Sequence, residues 1–146
     1  MRKLLIVPIV AMFVSCNCKK ATVNEKNLSS REPLFELLSE SEYQGKDQES
    51  FEVVKDESSL KALYQSINKD EIPKIDFEKE TVVALFLGQR SSGGHTIKIK
   101  NVSEKGGQIY VEVEKSSPPS GSNATMAITN PYCIAKINST MKIIFK

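Results

Sequence analysis

Thr81-Val82-Val83-Ala84-Leu85-Phe86-Leu87 is the stretch that decides the fold. It is rich in β-branched, aliphatic and aromatic side chains, and it lacks the alternation of apolar and polar residues that a half-exposed strand shows. A strand with apolar side chains on both faces is typical of a sheet that is covered on both sides. We therefore expect residues 81–87 to form the central strand of the core.

The segments that follow do alternate. In 96–100 and again in 109–114, every second side chain is apolar, as expected for strands that bury one face. Gly106 and Gly107 lie between them and can adopt the positive φ angles that a tight hairpin turn requires. The pattern predicts a hairpin whose lysine and glutamate side chains face each other on the solvent side.

Upstream, residues 56–68 have the pattern of an amphipathic helix. Asp56 can accept hydrogen bonds from the free amides of the first turn and favours the positive end of the helix dipole. The large apolar side chains recur at spacings of three and four residues, so they share one face that should lie on a sheet. They are Leu60, Leu63, Tyr64 and Ile67. Pro73 prevents the helix from continuing further.

The remaining apolar segments complete an all-β framework around this helix. A loop rich in serine and proline spans 116–123. The expected fold is a β-rich α+β domain, namely an antiparallel β-sandwich or partly open barrel of about seven strands with one amphipathic helix packed on it. The further strands are expected at 51–55, 124–129, 132–137 and 142–145, and at 34–38, where a short helix is the alternative.

Residues 1–15 have the composition of an export signal. Arg2 and Lys3 precede an apolar run that is too short for a permanent transmembrane helix. Phe13-Val14-Ser15-Cys16 looks like the lipobox of a bacterial lipoprotein, in which the cysteine is lipid-modified and becomes the new amino terminus. The alternative is an ordinary secretory signal with a chance cysteine.

Lipid attachment at Cys16 would divide the rest of the chain into two parts. Residues 16–32 are polar and are expected to form a lipidated, disordered tether, whereas residues 33–146 are expected to form one β-rich domain. We expect the protein to be held by its lipid anchor in the bacterial cell envelope, on the periplasmic face of the outer membrane. Display on the cell surface is the alternative.

The composition argues against several kinds of chemistry. The 20 Lys and Arg residues nearly balance 18 Asp and Glu, so nucleic acid is not expected as a partner. His95 is the single histidine and no Cys-x-x-Cys pair is present, so we expect neither a metal site nor a cofactor. No motif points to a small-molecule substrate.

Cys133 lies in an apolar segment, and we interpret it as a small buried residue. The alternative is a catalytic Cys133–His95 dyad. Such a dyad needs an exposed thiol within hydrogen-bond distance of the imidazole.

Two motifs resemble the PrcB C-terminal family. The first is the central strand followed by Gly88-Gln89-Arg90-Ser91-Ser92-Gly93-Gly94-His95, and the second is Thr129-Asn130-Pro131-Tyr132. The family usually has tyrosine at the position of His95 and glutamine at that of Asn130. The resemblance extends from about Phe51 to Phe145. It implies a non-catalytic accessory module like that of a small lipoprotein subunit in a protease complex.

The glycine turn is the main candidate for contact with a partner. Gly93 and Gly94 can expose backbone amides, and Arg90 could clamp a partner carboxylate with two parallel hydrogen bonds. The alternative is that the glycine pair serves only as a turn or bulge. The partner-binding candidates are Gln89, Arg90, Ser91, Ser92, Gly93, Gly94, His95, Pro118, Pro119, Asn130 and Tyr132.

Three functional hypotheses remain open at this point. The first is a non-catalytic envelope lipoprotein that binds or stabilises a partner protein, with a protease complex as the partner that the resemblance implies. The second is a protease inhibitor that inserts the Gly93-Gly94 turn and the neighbouring Pro118-Pro119 loop into a cleft. The third is a hydrolase that uses Cys133 and His95.

Overall fold

The computed structural model describes residues 33–121 and 125–146. The expected signal at 1–15, the lipid attachment site at Cys16 and the tether at 16–32 lie outside the described residues. Within them, no helix is long and apolar enough to cross a membrane. The described elements are β1 (Phe35–Ser41), β2 (Ser50–Val54), α1 (Glu57–Ser66), β3 (Thr81–Phe86), β4 (Thr96–Lys105), β5 (Gln108–Ser116), β6 (Tyr132–Ile137) and β7 (Lys142–Phe145).

The strands form two sheets. The larger sheet is antiparallel throughout, with the order β1-β6-β3-β2, and the smaller has the order β4-β5-β7. The expected β-rich α+β fold with one helix is therefore confirmed. The two sheets of the described residues are consistent with a sandwich and do not close into a barrel. One pair, β5 with β7, is parallel. Because β7 follows a strand of the other sheet, no hairpin fixes its direction.

Strand β3 is central, as its sequence predicts. All six of its residues are buried. Val82, Ala84 and Phe86 pack in the cluster that includes α1, whereas Val83 and Leu85 pack in the clusters that include the smaller sheet. The domain is thus a three-layer stack of helix, four-stranded sheet and three-stranded sheet, with β3 in contact with both outer layers.

Helix α1 begins and ends where its sequence indicates. The Asp56 carboxylate accepts a hydrogen bond from the Ser59 amide at 2.8 Å, which caps the amino terminus. At the other end Asn68 has a φ of 55°, and the Lys69 amide donates to the Tyr64 carbonyl at 3.0 Å. This left-handed Schellman cap stops the helix before Pro73. The apolar face of α1 packs on the larger sheet, as expected.

The hairpin of β4 and β5 is also confirmed. Lys105 pairs with Gln108 across Gly106 and Gly107, whose φ angles are 60° and 71°. On the solvent side, the Lys100 ammonium lies 2.7 Å from the Glu112 carboxylate.

The prediction of a strand at 124–129 is wrong. Residues 125–128 belong to no strand, and Thr129 makes only an isolated bridge with Arg90, while residue 124 is outside the described part. The alternation of apolar residues in this segment has a different cause. Its alternate side chains, those of Met126 and Ile128, point to solvent instead of a core.

Candidate functional site

The loops at one end of the sandwich form the candidate site. Here the pairing of the larger sheet brings Ser41, Tyr132, Phe86 and Ser50 side by side, so the connections to these strand ends emerge together. We call the four segments 42–49, 87–95, 117–121 and 125–131 the loop platform. It contains every partner-binding candidate except Tyr132.

Asn130 joins two segments of the platform. Its carbonyl accepts a hydrogen bond from the Gly45 amide at 2.8 Å, and its own amide donates to the Glu42 carbonyl at 2.9 Å. Its side-chain nitrogen donates to the Asp47 carboxylate at 2.9 Å. Asn130 is half-buried, and its hydrogen bonds hold segments 42–49 and 125–131 together.

The glycine turn is joined to the segment before β6. Arg90 and Thr129 exchange backbone hydrogen bonds at 2.8 and 3.0 Å. The Thr129 hydroxyl donates to the Ser92 carbonyl at 3.0 Å, and the Gly93 amide donates to the Thr125 carbonyl at 2.9 Å. These four hydrogen bonds cross-link the two segments.

The glycine pair is less open than its sequence indicates. Gly93 is buried, and its amide is already used by Thr125. Gly94 is exposed and has a φ of 82°, which favours glycine and supports the interpretation of a turn. A β-carbon at Gly94 would lie 3.4 Å from Pro118, so the turn and the proline-rich loop are neighbours, as the inhibitor hypothesis requires.

The Arg90 guanidinium is engaged within the chain. It donates to the Leu87 carbonyl at 2.9 Å and lies 3.6 Å from the Glu49 carboxylate, which also pairs with Lys115. A partner carboxylate would have to displace Glu49 in order to be clamped. Arg90 thus holds the platform together in this conformation.

Cys133 and His95 occupy different environments. The Cys133 side chain is 1% exposed and packs between the sheets with Leu85 and Ile97. Burial raises the pKa of this thiol to about 11, which keeps it protonated at neutral pH. The His95 imidazole is hydrogen-bonded instead to the Ser92 hydroxyl at 3.1 Å. The arrangement lacks the exposed, activated thiol that the hydrolase hypothesis needs.

The other candidates divide by exposure. Gln89, Ser91 and Pro119 are exposed, whereas Tyr132 is 1% exposed and its hydroxyl contacts Ser39 at 3.0 Å. Tyr132 therefore supports the platform from beneath. Within residues 33–121 and 125–146, no three His, Cys, Asp or Glu side chains are grouped so that they could hold a metal ion.

Three residues that sequence reasoning did not select are prominent on the platform. Met126 is 97% exposed, Ile128 66% and Tyr43 53%, and these are the three most exposed large hydrophobic residues in the described part of the chain. The Ala127 amide donates to the Thr125 carbonyl at 2.9 Å, so Met126 stands at the tip of a tight turn. The alternating pattern of 124–129 is the available signal in the sequence, but alternation predicts a strand and not an exposed loop.

Residues 81–138 match the family model described as PrcB C-terminal. The match confirms the resemblance, over a narrower range than the sequence motifs indicated. It includes β3, β4, β5 and β6 together with three of the four segments of the platform. No curated protein and no solved structure matches the chain.

Proposed function

Because residues 81–138 carry the PrcB C-terminal pattern, we propose that this chain is a non-catalytic, lipid-anchored protein of the bacterial envelope that binds and stabilises a partner protein through its loop platform. The partner in this proposal belongs to a protease complex. The anchor is a lipid on Cys16, and the domain faces the periplasm from the outer membrane.

One observation carries the choice of the platform. The most exposed large apolar side chains in the described residues, Met126, Ile128 and Tyr43, all lie on its segments. Exposed apolar side chains that are scattered singly are ordinary, but their concentration at one end of a domain favours an interaction surface. Large apolar side chains of this kind are enriched at the buried centres of protein interfaces.

The rigidity of the platform supports the same proposal. Three of its four segments, 42–49, 87–95 and 125–131, are joined by the backbone hydrogen bonds of Gly45, Arg90 and Gly93, and the end of β4 nearest to it is fixed by the sheet. A surface that is already ordered loses little conformational entropy when it binds. The platform can therefore convert the burial of a few side chains into affinity.

The test is a crosslinking pull-down of the full-length anchored protein from its native envelope. We expect Met126→Asp to reduce recovery of the partner at least tenfold, which corresponds to about 1.4 kcal/mol of binding free energy. Met141→Asp is the matched control, because Met141 is a partly exposed methionine in the turn before β7, at the opposite end of the sandwich. Both variants should keep the thermal midpoint of the wild type within a few degrees.

Equal recovery by the Met126→Asp and Met141→Asp proteins would contradict a platform centred on Met126. The activity of the recovered material separates the two binding hypotheses. Recovery of an active protease supports an accessory subunit, whereas recovery of an inactive protease that regains activity on release supports an inhibitor. The projecting turn at Met126, beside the Gly94 and Pro118 contact, is the feature that keeps the inhibitor as the second candidate.

A further inference from the structure

A recess lies away from the loop platform, between the carboxyl-terminal end of α1 and strand β1. Its volume is about 360 Å³. Leu38, Tyr64, Ile72 and Pro73 form apolar walls, while Ser39, Lys69 and Glu71 supply polar groups. The recess has the size and the mixed lining of a site for a small apolar group that carries one polar end.

The polar end of the recess is a chain of three hydrogen-bonding side chains. The Lys69 ammonium donates to the Ser39 hydroxyl at 2.8 Å, and that hydroxyl contacts the Tyr132 hydroxyl at 3.0 Å. Ser39 and Tyr132 are 9% and 1% exposed. The bulge in β1 between Leu37 and Ser39 sets the direction of the serine, and the Schellman cap of α1 fixes the backbone of Lys69.

Lys69 differs from the other half-buried lysines. In residues 33–121 and 125–146 the half-buried lysines are Lys46, Lys69 and Lys136. Lys46 contacts Glu52, and Lys136 contacts Glu36 and Glu80, but no carboxylate of the described residues lies within 4.0 Å of the Lys69 ammonium. A partly desolvated ammonium without an anion is costly, and its other two donors remain available after the bond to Ser39.

We propose that this recess binds a carboxylate carried by an apolar group, with the carboxylate on the Lys69 ammonium and the apolar group against Leu38, Tyr64 and Ile72. The carboxyl terminus of a peptide that ends in an apolar residue and a free apolar carboxylic acid share this chemistry. Glu71 also lines the recess and repels a bound carboxylate. The site uses no segment of the loop platform, so it stands or fails independently of the proposed function.

The experiment is a titration of the full-length protein in detergent micelles, monitored by the NMR signals of the Ser39 and Lys69 amides. The two probes are 3-phenylpropionate and the dipeptide N-acetyl-Ala-Phe with a free carboxyl terminus. The matched amide of each probe is the control for apolar burial without charge. We expect saturable binding of the acids and at least tenfold weaker binding of the amides. Tighter binding of the dipeptide identifies a peptide terminus, and equal binding of both acids identifies a free acid.

Substitutions test the assigned roles. Lys69→Met should weaken binding of the acids at least tenfold, whereas Lys74→Met, which removes an exposed lysine from an adjacent groove, should leave it unchanged. Glu71→Gln should tighten binding of the acids two- to threefold. Because this variant leaves Lys69 and the buried hydroxyls intact, it tests the site even if Lys69→Met fails to fold. Equal affinity for acids and amides, failure of both acids to saturate, or indifference to Glu71→Gln would overturn the proposal.

Discussion

At the scale of single residues, Gly45 has no side chain and can therefore approach Asn130 closely enough to form a hydrogen bond. This bond joins two segments of the loop platform. A β-carbon at Gly45 would lie 2.4 Å from the Asn130 carbonyl oxygen, much closer than atoms can approach. Only glycine lets the two backbones form their 2.8 Å hydrogen bond. The position is therefore constrained by a neighbour that is distant in the sequence.

Gly45→Ala should destabilise the fold by about 3 kcal/mol, because the new methyl group forces the two backbones apart and breaks their hydrogen bond. Gly106→Ala is the control. Its β-carbon would meet nothing within 4 Å, so it should cost only about 1 kcal/mol for the left-handed φ of 60°. Urea unfolding of both variants measures the difference. Equal losses would mean that the platform can shift to accept a side chain at residue 45.

The polar candidates of the glycine turn show what residue types alone can indicate. The sequence identified Arg90 as a hydrogen-bond donor in a loop, which is correct. Its engagement by Glu49 and by the Leu87 carbonyl was not predictable, because Glu49 precedes β2 and reaches Arg90 only through the pairing of β2 with β3. A donor seen in a sequence is not necessarily free for a partner.

At the scale of secondary structure, the amino terminus of α1 depends on one carboxylate. Hydrogen bonds from the Ser58 hydroxyl, the Ser59 amide and the Ser59 hydroxyl lower the pKa of Asp56 from 3.8 to about 2. A lowered pKa in the folded state means that the ionised group stabilises the fold. This contribution is complete above about pH 4 and is lost as the pH falls through about 2.

The Asp56 cap predicts a pH-dependent difference between two variants. Asp56→Asn keeps a side-chain oxygen that can cap the helix but removes the titration, whereas Asp56→Ala removes the cap. The stability advantage of the wild type over Asp56→Asn should be constant above pH 4 and should shrink between pH 4 and 2. Asp56→Ala should be the least stable variant at neutral pH. Unfolding midpoints measured by circular dichroism check both statements. If the wild type keeps its full stability advantage over Asp56→Asn at pH 2, the ionised Asp56 carboxylate is not the source of that advantage.

The segment before β6 shows the limit of periodicity at this scale. Residues 124–129 alternate as a strand does, but the two backbone bonds from Arg90 and Gly93 tie the segment to a loop instead of a sheet edge. Met126 and Ile128 are exposed as a result. Alternation shows that two sets of side chains point in opposite directions, and it does not show which set is buried.

At the scale of the whole domain, β3 divides the interior into two cores. Val82 packs toward α1 and Val83 toward the smaller sheet, although the two residues are neighbours in the chain. Both side chains are fully buried. The layers share the backbone of β3 but have separate side-chain contacts.

Val82→Ala and Val83→Ala should each reduce the free energy of unfolding by about 2 kcal/mol, through lost burial and an incompletely filled cavity. The double variant should show the sum of the two losses within about 0.5 kcal/mol, because the two side chains pack in different clusters on opposite faces of β3. Urea unfolding of the three variants makes this comparison. A coupling above about 1 kcal/mol would show that the two cores are not energetically separate.

The sequence by itself determined the central strand, the capped helix, the β4–β5 hairpin and the buried character of Cys133. Each of these depends on local periodicity, on the capping carboxylate of Asp56, on the backbone preferences of glycine, or on the hydrophobicity of a short segment. The tertiary structure alone decided the parallel pairing of β7, the pairing of Arg90 with Glu49, the exposure of Met126 and the meeting of Lys69 with Ser39 and Tyr132. These features join residues that are far apart in the chain, and their geometry depends on how the layers stack, which no local pattern encodes.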